Sequence, residues 1–319
     1  MDFFDRFAKS ILLILCEGKK LNLIYPEIDP IIFSFSIGGF EIALRWYALS
    51  YIAGILFAWK LMQLLSKKNE LWSSEGPPIK SRAVDDLITY LIIGIIMGGR
   101  LGYVIFYQPS YYFYNPGDII KIWNGGMSFH GGFLGVVIGT IIYAIKQKTN
   151  LLSLGDLVAV ASPPGLLFGR LANFINGELW GKPTTSSWGM VFPNEDANLC
   201  PENWIGACTR HPSQLYEAAL EGLVLWIIMM IFVLSFKSFK RKGETICIFL
   251  IGYASSRMII EIFRQPDAQF ISELNPNGYI IFVSDSIGLS MGQLLCLPMI
   301  IVGLTGIIIS HFIISNSKK

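Results

Sequence analysis

Residues 214–236, QLYEAALEGLVLWIIMMIFVLSF, form an apolar stretch that contains no basic residue. A bilayer core takes about 20 mostly apolar residues in helical form, because backbone groups left unpaired in hydrocarbon are costly. This stretch meets the requirement. Six others meet it too, at about 42–65, 86–107, 130–146, 155–176, 244–263 and 291–314. The one at 130–146 is short, and the one at 155–176 is loaded with Gly, Pro and polar residues. The pattern predicts an all-α polytopic membrane protein with seven transmembrane helices.

Composition agrees. Of 319 residues, 53% are hydrophobic and 15% charged, where soluble domains carry about 25% charged residues. Mean hydropathy is +0.52. A soluble globule and a disordered chain are both poor fits, and a net charge of +2 gives no sign of nucleic acid as a partner. The connecting segments separate by charge. One set holds Lys67, Lys68, Lys80, Arg82, Lys146, Lys148, Lys237, Lys240, Arg241, Lys242, Lys318 and Lys319. The other set, around 108–129, 177–213 and 265–290, holds only Lys121, Lys182 and Arg210. The positive-inside rule makes the first set cytoplasmic. Seven spans then put the N-terminus outside and the C-terminus inside. Arg6, Lys9, Lys19 and Lys20 run against this, and the agreement among the other loops outweighs them.

Residues 1–30 are not an ordinary signal peptide. The apolar run Ile11 to Cys16 is too short for an h-region, and no A-x-A-like site follows. Phe3, Phe4, Phe7, Ile11, Ile14 and Leu15 share a helix face, which predicts an interfacial amphipathic helix. The expected organisation is this interfacial segment followed by a seven-helix domain over 31–319, with an outer loop at 177–213. Inside the spans, Gly94, Gly98 and Gly102, then Gly131, Gly135 and Gly139, then Gly165 and Gly169 recur at four-residue spacing. Small residues aligned on one helix face let neighbouring backbones approach, so packing is the first reading of these stripes.

Function is sought in the polar residues that lipid would not tolerate unpaired. Four clusters stand out, all toward the outer half of the expected topology. Arg45-Trp46-Tyr47 opens the first span, where an interfacial aromatic belt is the plain alternative. Gly125-Gly126-Met127-Ser128-Phe129-His130-Gly131-Gly132 sets a histidine between flexible glycine pairs, and a structural histidine explains that spacing equally well. In the third, GRLANFINGELWG at 169–181, Arg170, Asn173 and Gly177 share a face at i, i+3 and i+7. In the fourth, Tyr253, Arg257, Glu261 and Arg264 share a face, with Glu261 able to pair with either arginine. Two arginines against one carboxylate leave positive charge over. Guanidinium binds phosphate in a fork and stays charged, so these residues predict an outward-facing polar chamber suited to an anionic lipid. The tract Arg210-His211-Pro212-Ser213-Gln214-Leu215-Tyr216-Glu217 adds polar residues at the mouth of span five.

At these residues the chain resembles the prolipoprotein diacylglyceryl transferase family. GRLANFINGELWG (169–181) looks like that family's signature, and GGMSFHGG (125–132), RHPSQLYE (210–217), FRQPDAQF (263–270) and SMGQLL (290–295) resemble further blocks in the same order. The resemblance runs from about Tyr25 to the end. Ala172 stands where some members have Gly, and the loop 183–209 and the extended N-terminus match no block. The resemblance implies transfer of the diacylglyceryl group of phosphatidylglycerol to the lipobox cysteine thiol of a bacterial prolipoprotein. A thioether forms and glycerol phosphate leaves, at the bacterial cytoplasmic (inner) membrane. It further implies catalytic roles for Arg170, Arg257, His130 and Tyr47. The arginines would hold charge on the phosphate, and the thiolate would be made either by His130 as base or by the positive chamber itself, which lowers a cysteine's pKa without a dedicated base. Asn173, Glu178, Gly181 and Tyr253 map onto positions tied to lipid binding or catalysis, and Glu261 would orient Arg257.

The acceptor thiol belongs to the substrate, so the chain's own cysteines need take no part. Cys16, Cys247 and Cys296 read as buried fillers, while Cys200 and Cys208 in an outer loop are open between a disulfide and free thiols. No metal cluster or nucleotide motif occurs, so no cofactor is implied. Two rival readings are a transporter of a phosphate-bearing solute and a scaffold whose buried charges are structural. No internal repeat supports the transporter.

Overall fold

The computed structural model describes residues 23–317 apart from 27, 38–39, 202, 267–269, 273–274 and 285–286. The amphipathic helix expected near the N-terminus lies, over residues 1–22, outside the described residues. The rest is mostly helical: α1 (Trp46–Leu65), α2 (Val84–Phe106), α3 (Phe129–Gln147), α4 (Leu151–Ala161), α5 (Pro163–Ile175), α6 (Ser213–Glu217), α7 (Leu225–Leu234), α8 (Glu244–Ile260) and α9 (Met291–Ser317). Among the described residues, six helical stretches are long and apolar enough to cross a membrane: 46–65, 81–106, 129–147, 151–175, 213–234 and 291–311. The seventh expected span is α8, whose 17 residues sit at the lower limit of length. Three two-stranded sheets interrupt the helices. They are β1 (Leu23–Ile24) parallel to β4 (Met190–Val191), β2 (Ile31–Ile37) antiparallel to β3 (Phe40–Arg45), and β5 (Tyr279–Ser284) antiparallel to β6 (Ile287–Ser290). The first span therefore starts at Trp46 rather than 42. Residues 42–45 pair instead with 31–35, in register that sets Phe35 opposite Ile42.

The chain divides into two compact units, both discontinuous. The first comprises 1–54, 163–227 and 250–304; the second comprises 55–162, 228–249 and 305–319. In the second unit, α2 and α3 meet along the predicted glycine stripe. A Cβ on Gly98 would lie 2.9 Å from the Gly135 Cα, and one on Gly102 would lie 2.8 Å from the Gly131 Cα. Only glycine allows that approach. Asp156 of α4, completely buried, accepts the Gly243 and Ile246 amides at 2.7 and 2.9 Å and so caps the N-terminus of α8. In the first unit the packing reading holds for Gly165, since a Cβ on Gly54 of α1 would lie 3.1 Å from the Gly165 Cα, but not for Gly169, where a Cβ would meet nothing within 4 Å.

A small core in the first unit holds the loop after α5. Tyr25, Phe174, Met190, Phe192 and Ala197 pack together. The Tyr25 hydroxyl donates to the carbonyls of Phe174 and Ile175, 2.8 and 2.5 Å away, at the C-terminal end of α5. These carbonyls lack helical partners, so the tyrosine finishes the helix. Burial pushes that hydroxyl up to about 12.

Candidate functional site

The site in the first unit grows from three helices. α5 carries Arg170 and Asn173 one turn apart. Facing it, α6 passes into a π-helical segment, Ala218–Val224, which carries Glu221 one turn beyond Glu217. Such widened turns are frequent at functional sites. The two elements touch backbone to backbone, since a Cβ on Gly222 would lie 2.8 Å from the Leu167 Cα. α8 adds Tyr253 and Arg257, and the turn after it adds Glu261 and Arg264.

Three guanidiniums and three carboxylates interlock here. Glu217, with no exposed surface, is the hub: Arg170 Nε lies 2.9 Å from its Oε2, Arg257 Nη1 lies 3.3 Å from its Oε1, and Arg264 Nη1 bonds that same Oε1. Glu261 meets Arg257 Nη2 at 3.0 Å and Arg264 Nε at 3.5 Å, and accepts the Ser290 hydroxyl at 2.9 Å. Glu221 is also fully buried but makes only long contacts, 3.5 Å to Arg170 Nη2 and 3.8 Å to Arg257 Nη1. The arginine side chains keep 14–16% exposure. Arg170 Nη1, Arg257 Nε and Arg264 Nη2 bond no carboxylate among the described residues. Gly292 of the SMGQLL stretch closes over the cluster, where a Cβ would lie 2.9 Å from the Glu261 carboxyl carbon.

The leftover positive charge expected from Arg257, Glu261 and Arg264 is overturned. Glu217 and Glu221 arrive from α6 and the π segment and bring the count to three against three. In the sequence Glu217 stood out only as the last residue of the polar tract at the mouth of span five, and Glu221 not at all, although two acidic residues four apart inside an apolar span are a signal of function.

One turn along α5, Asn173 joins a second group. Its Nδ2 donates to Glu178 Oε1 at 2.8 Å and to the Tyr47 hydroxyl, which itself donates to the same Glu178 oxygen. Gly177, at φ +64°, turns the chain so that Glu178 can fold back onto the helix end. Burial raises the Glu178 carboxyl above the usual range. Gly181 sits where three segments cross. Its N–H donates to the His211 carbonyl at 2.8 Å, and a Cβ there would lie 3.0 Å from that same oxygen.

Arg210 fastens this crossing. It donates to the carbonyls of Ala197 (2.6 Å), Leu199 (2.6 Å), Gly181 (3.3 Å) and Asp196 (3.5 Å), and to Gln265 Oε1 at 3.1 Å, beneath the Trp180 ring. Burial lowers it to about 10. Cys200 and Cys208 form a disulfide in the same loop.

Of the residues singled out from sequence, Tyr47, Arg170, Asn173, Glu178, Gly181, Tyr253, Arg257 and Glu261 belong to the first unit. His130 belongs to the second. It is exposed in the first turn of α3, edge-on to Phe129, behind Ser128, whose Oγ caps the helix by accepting the Gly131 amide at 3.2 Å. The loop leading to it is held by Arg100, which the sequence reading did not notice. Arg100 donates to five carbonyls, those of Asp118, Ile119, Lys121, Gly125 and Gly126, at 2.5–3.2 Å. Among the described residues no group of three or more His, Cys, Asp or Glu is placed to hold a metal ion.

Fold and site together define a multi-pass membrane protein with a buried arginine–carboxylate cluster. The family model described as prolipoprotein diacylglyceryl transferase matches residues 30–309. Proteins called phosphatidylglycerol–prolipoprotein diacylglyceryl transferase are similar over most of the chain. The one from Ruegeria pomeroyi is 51% identical over 88% of this chain and 94% of its own. The one from Cereibacter sphaeroides is 49% identical over 88% and 95%, and that of Caulobacter vibrioides 43% over 88% and 93%. The chain belongs to the prolipoprotein diacylglyceryl transferase family.

Proposed function

We propose that this chain transfers the diacylglyceryl group of phosphatidylglycerol to the lipobox cysteine of bacterial prolipoproteins, the first step of their maturation. The thiolate attacks the terminal glyceryl carbon, a C–S bond forms, the C–O bond to phosphate breaks, and glycerol phosphate departs. The observation that carries this reading is the trio of partly exposed guanidiniums, each fixed by a buried or half-buried carboxylate and each keeping an N–H-bearing nitrogen that bonds no carboxylate among the described residues. Arg170 and Arg257 hold the phosphate through those groups and stabilise the charge that gathers on it as the bond breaks. Glu261 keeps Arg257 in place through its 3.0 Å pair.

Tyr47, Asn173 and Glu178 form a polar group on the same helix end as Arg170, suited to the glyceryl oxygens of the lipid. Tyr253, one turn before Arg257, and Gly181, at the segment crossing, serve the same lipid site. His130 takes the thiol proton. Residues 31–319 are the catalytic domain and residues 1–30 an interfacial segment.

The protein resides in the bacterial inner membrane with its N-terminus periplasmic and C-terminus cytoplasmic. Two features support that orientation: the sorting of basic loops, and the disulfide in the 177–213 loop, since disulfides persist in oxidising compartments. The test uses purified protein with phosphatidylglycerol micelles and a synthetic lipobox peptide. Mass spectrometry finds a diacylglyceryl adduct on the peptide cysteine, and none on a Cys→Ser peptide. Adduct formation that survives His130→Gln removes the base assigned above while leaving the reaction. No adduct from folded wild type overturns the reading.

A further inference from the structure

The cluster that receives the phosphate is already balanced, three guanidiniums against three carboxylates, and two of the carboxylates are completely buried. A phosphodiester brings one more negative charge into this low-dielectric setting. Like charges crowded in such a site cannot all stay ionised, and one of them gives way by taking a proton. Geometry decides which one. Glu217 has close contacts to all three arginines. Glu261 has two guanidinium contacts, the Ser290 hydroxyl and some exposure. Glu221 is held loosely, its guanidinium contacts at 3.5 and 3.8 Å, where Glu217 and Glu261 each have one at 3.0 Å or shorter. When phosphate draws Arg170 and Arg257 toward itself, Glu221 loses what little it has.

We infer that binding of an anionic phospholipid is coupled to uptake of one proton by Glu221. The inference rests on the phosphate-holding role proposed for the arginines. The groups facing Glu221 are Arg170 of α5, Tyr253 and Arg257 of α8, Arg264 beyond its end, Cys296 of α9, and Glu217 of its own element. Every cation in that set is a guanidinium, which cannot lose its proton, and Glu217 is tied to three of them. That leaves Glu221 as the carboxyl free to respond.

Linkage gives the sign. Binding that takes up a proton weakens as pH rises, by up to about tenfold per pH unit in the window where Glu221 is ionised in the empty site and protonated in the filled one. Glu221→Gln mimics the protonated form, so its affinity is flat across that window and equals the wild-type value at the acid end. The experiment titrates detergent-purified protein with short-chain phosphatidylglycerol by calorimetry, in buffers of differing ionisation enthalpy, with short-chain phosphatidylcholine as the zwitterionic control. The expected result is close to one proton taken up per phosphatidylglycerol by wild type, none by Glu221→Gln, and none with the control lipid.

Zero uptake by wild type overturns the inference, as does a Glu221→Gln variant with the wild-type pH slope. Should that variant fail to fold, the wild-type proton count decides alone. Proton-coupled binding without any transfer to a lipobox peptide would leave this inference standing and overturn the transferase reading.

Discussion

Two regions of the molecule bury arginine, and they do so with opposite partners. Arg100, only 5% exposed, directs its donors at five backbone carbonyls and rests over the Tyr112 ring. Arg170, Arg257 and Arg264 are held by carboxylates. Carbonyls exhaust the guanidinium's donors without cancelling its charge, so Arg100 fastens a loop and has nothing left to offer a ligand. Carboxylates cancel the charge while leaving donors over, and these donors are what an incoming phosphate can use. Arg210, whose partners are four carbonyls and one amide oxygen, falls with Arg100. Partner chemistry, more than burial, separates an arginine of the fold from one of the site.

Substitutions can break this division. The largest effect on chemistry is expected from Arg170→Lys, which keeps the charge against Glu217 and loses the fork. Transfer falls by about 100- to 1,000-fold, as for loss of one charge-stabilising donor, while yield and melting temperature stay near wild type. Arg100→Lys is the converse. Several carbonyls lose a charged donor, so stability in chemical or thermal unfolding falls by about 3 kcal/mol, and transfer per folded molecule changes by less than about threefold.

Gly222→Ala lies between the two. Its Cβ would press on the Leu167 backbone, which carries Arg170 one turn on. A loss of about 1–3 kcal/mol should accompany weaker transfer, while Gly165→Ala, with open space around it, shows neither. The smallest effect concerns His211, where burial and Lys182 hold the imidazole below its ordinary range. The folded state then disfavours the charged ring. Its contribution to stability is complete above about pH 6.5, the unfolded value, and is lost as pH falls from there through the lowered value of the folded ring. Thermal melts between pH 7 and 5 should show a decline that His211→Asn lessens.

The spans were legible because a membrane helix is specified by length and apolarity alone, which a linear reading measures directly. The stripe formed by Gly94, Gly98 and Gly102 against Gly131, Gly135 and Gly139 was legible for a similar reason: it repeats at helical spacing. Gly165 meets Gly54 of α1, but Gly169 repeats the same spacing with nothing within 4 Å of its Cβ position, so periodicity proposes contacts that only the neighbouring helix can grant. The β2–β3 hairpin escaped because its run of aromatic and branched residues reads equally well as the start of a span. Within the site, Arg170 and Arg257 stood out as charges in apolar stretches. Their counter-charges did not, since Glu217 and Glu221 lie some fifty residues from Arg170 and meet it only through the backbone contact at Gly222. Arg100 was missed because its partners are carbonyls, which leave no mark in a sequence.

The division between arginines of the fold and of the site is tested most directly by a paired measurement of Arg170→Lys and Arg100→Lys, each scored for melting temperature and for diacylglyceryl transfer to a lipobox peptide per folded molecule. Arg170→Lys is expected to melt like wild type and transfer almost nothing, while Arg100→Lys melts early and transfers nearly as wild type does until it unfolds. An Arg170→Lys protein that melts early yet transfers normally, molecule for molecule, would contradict that division.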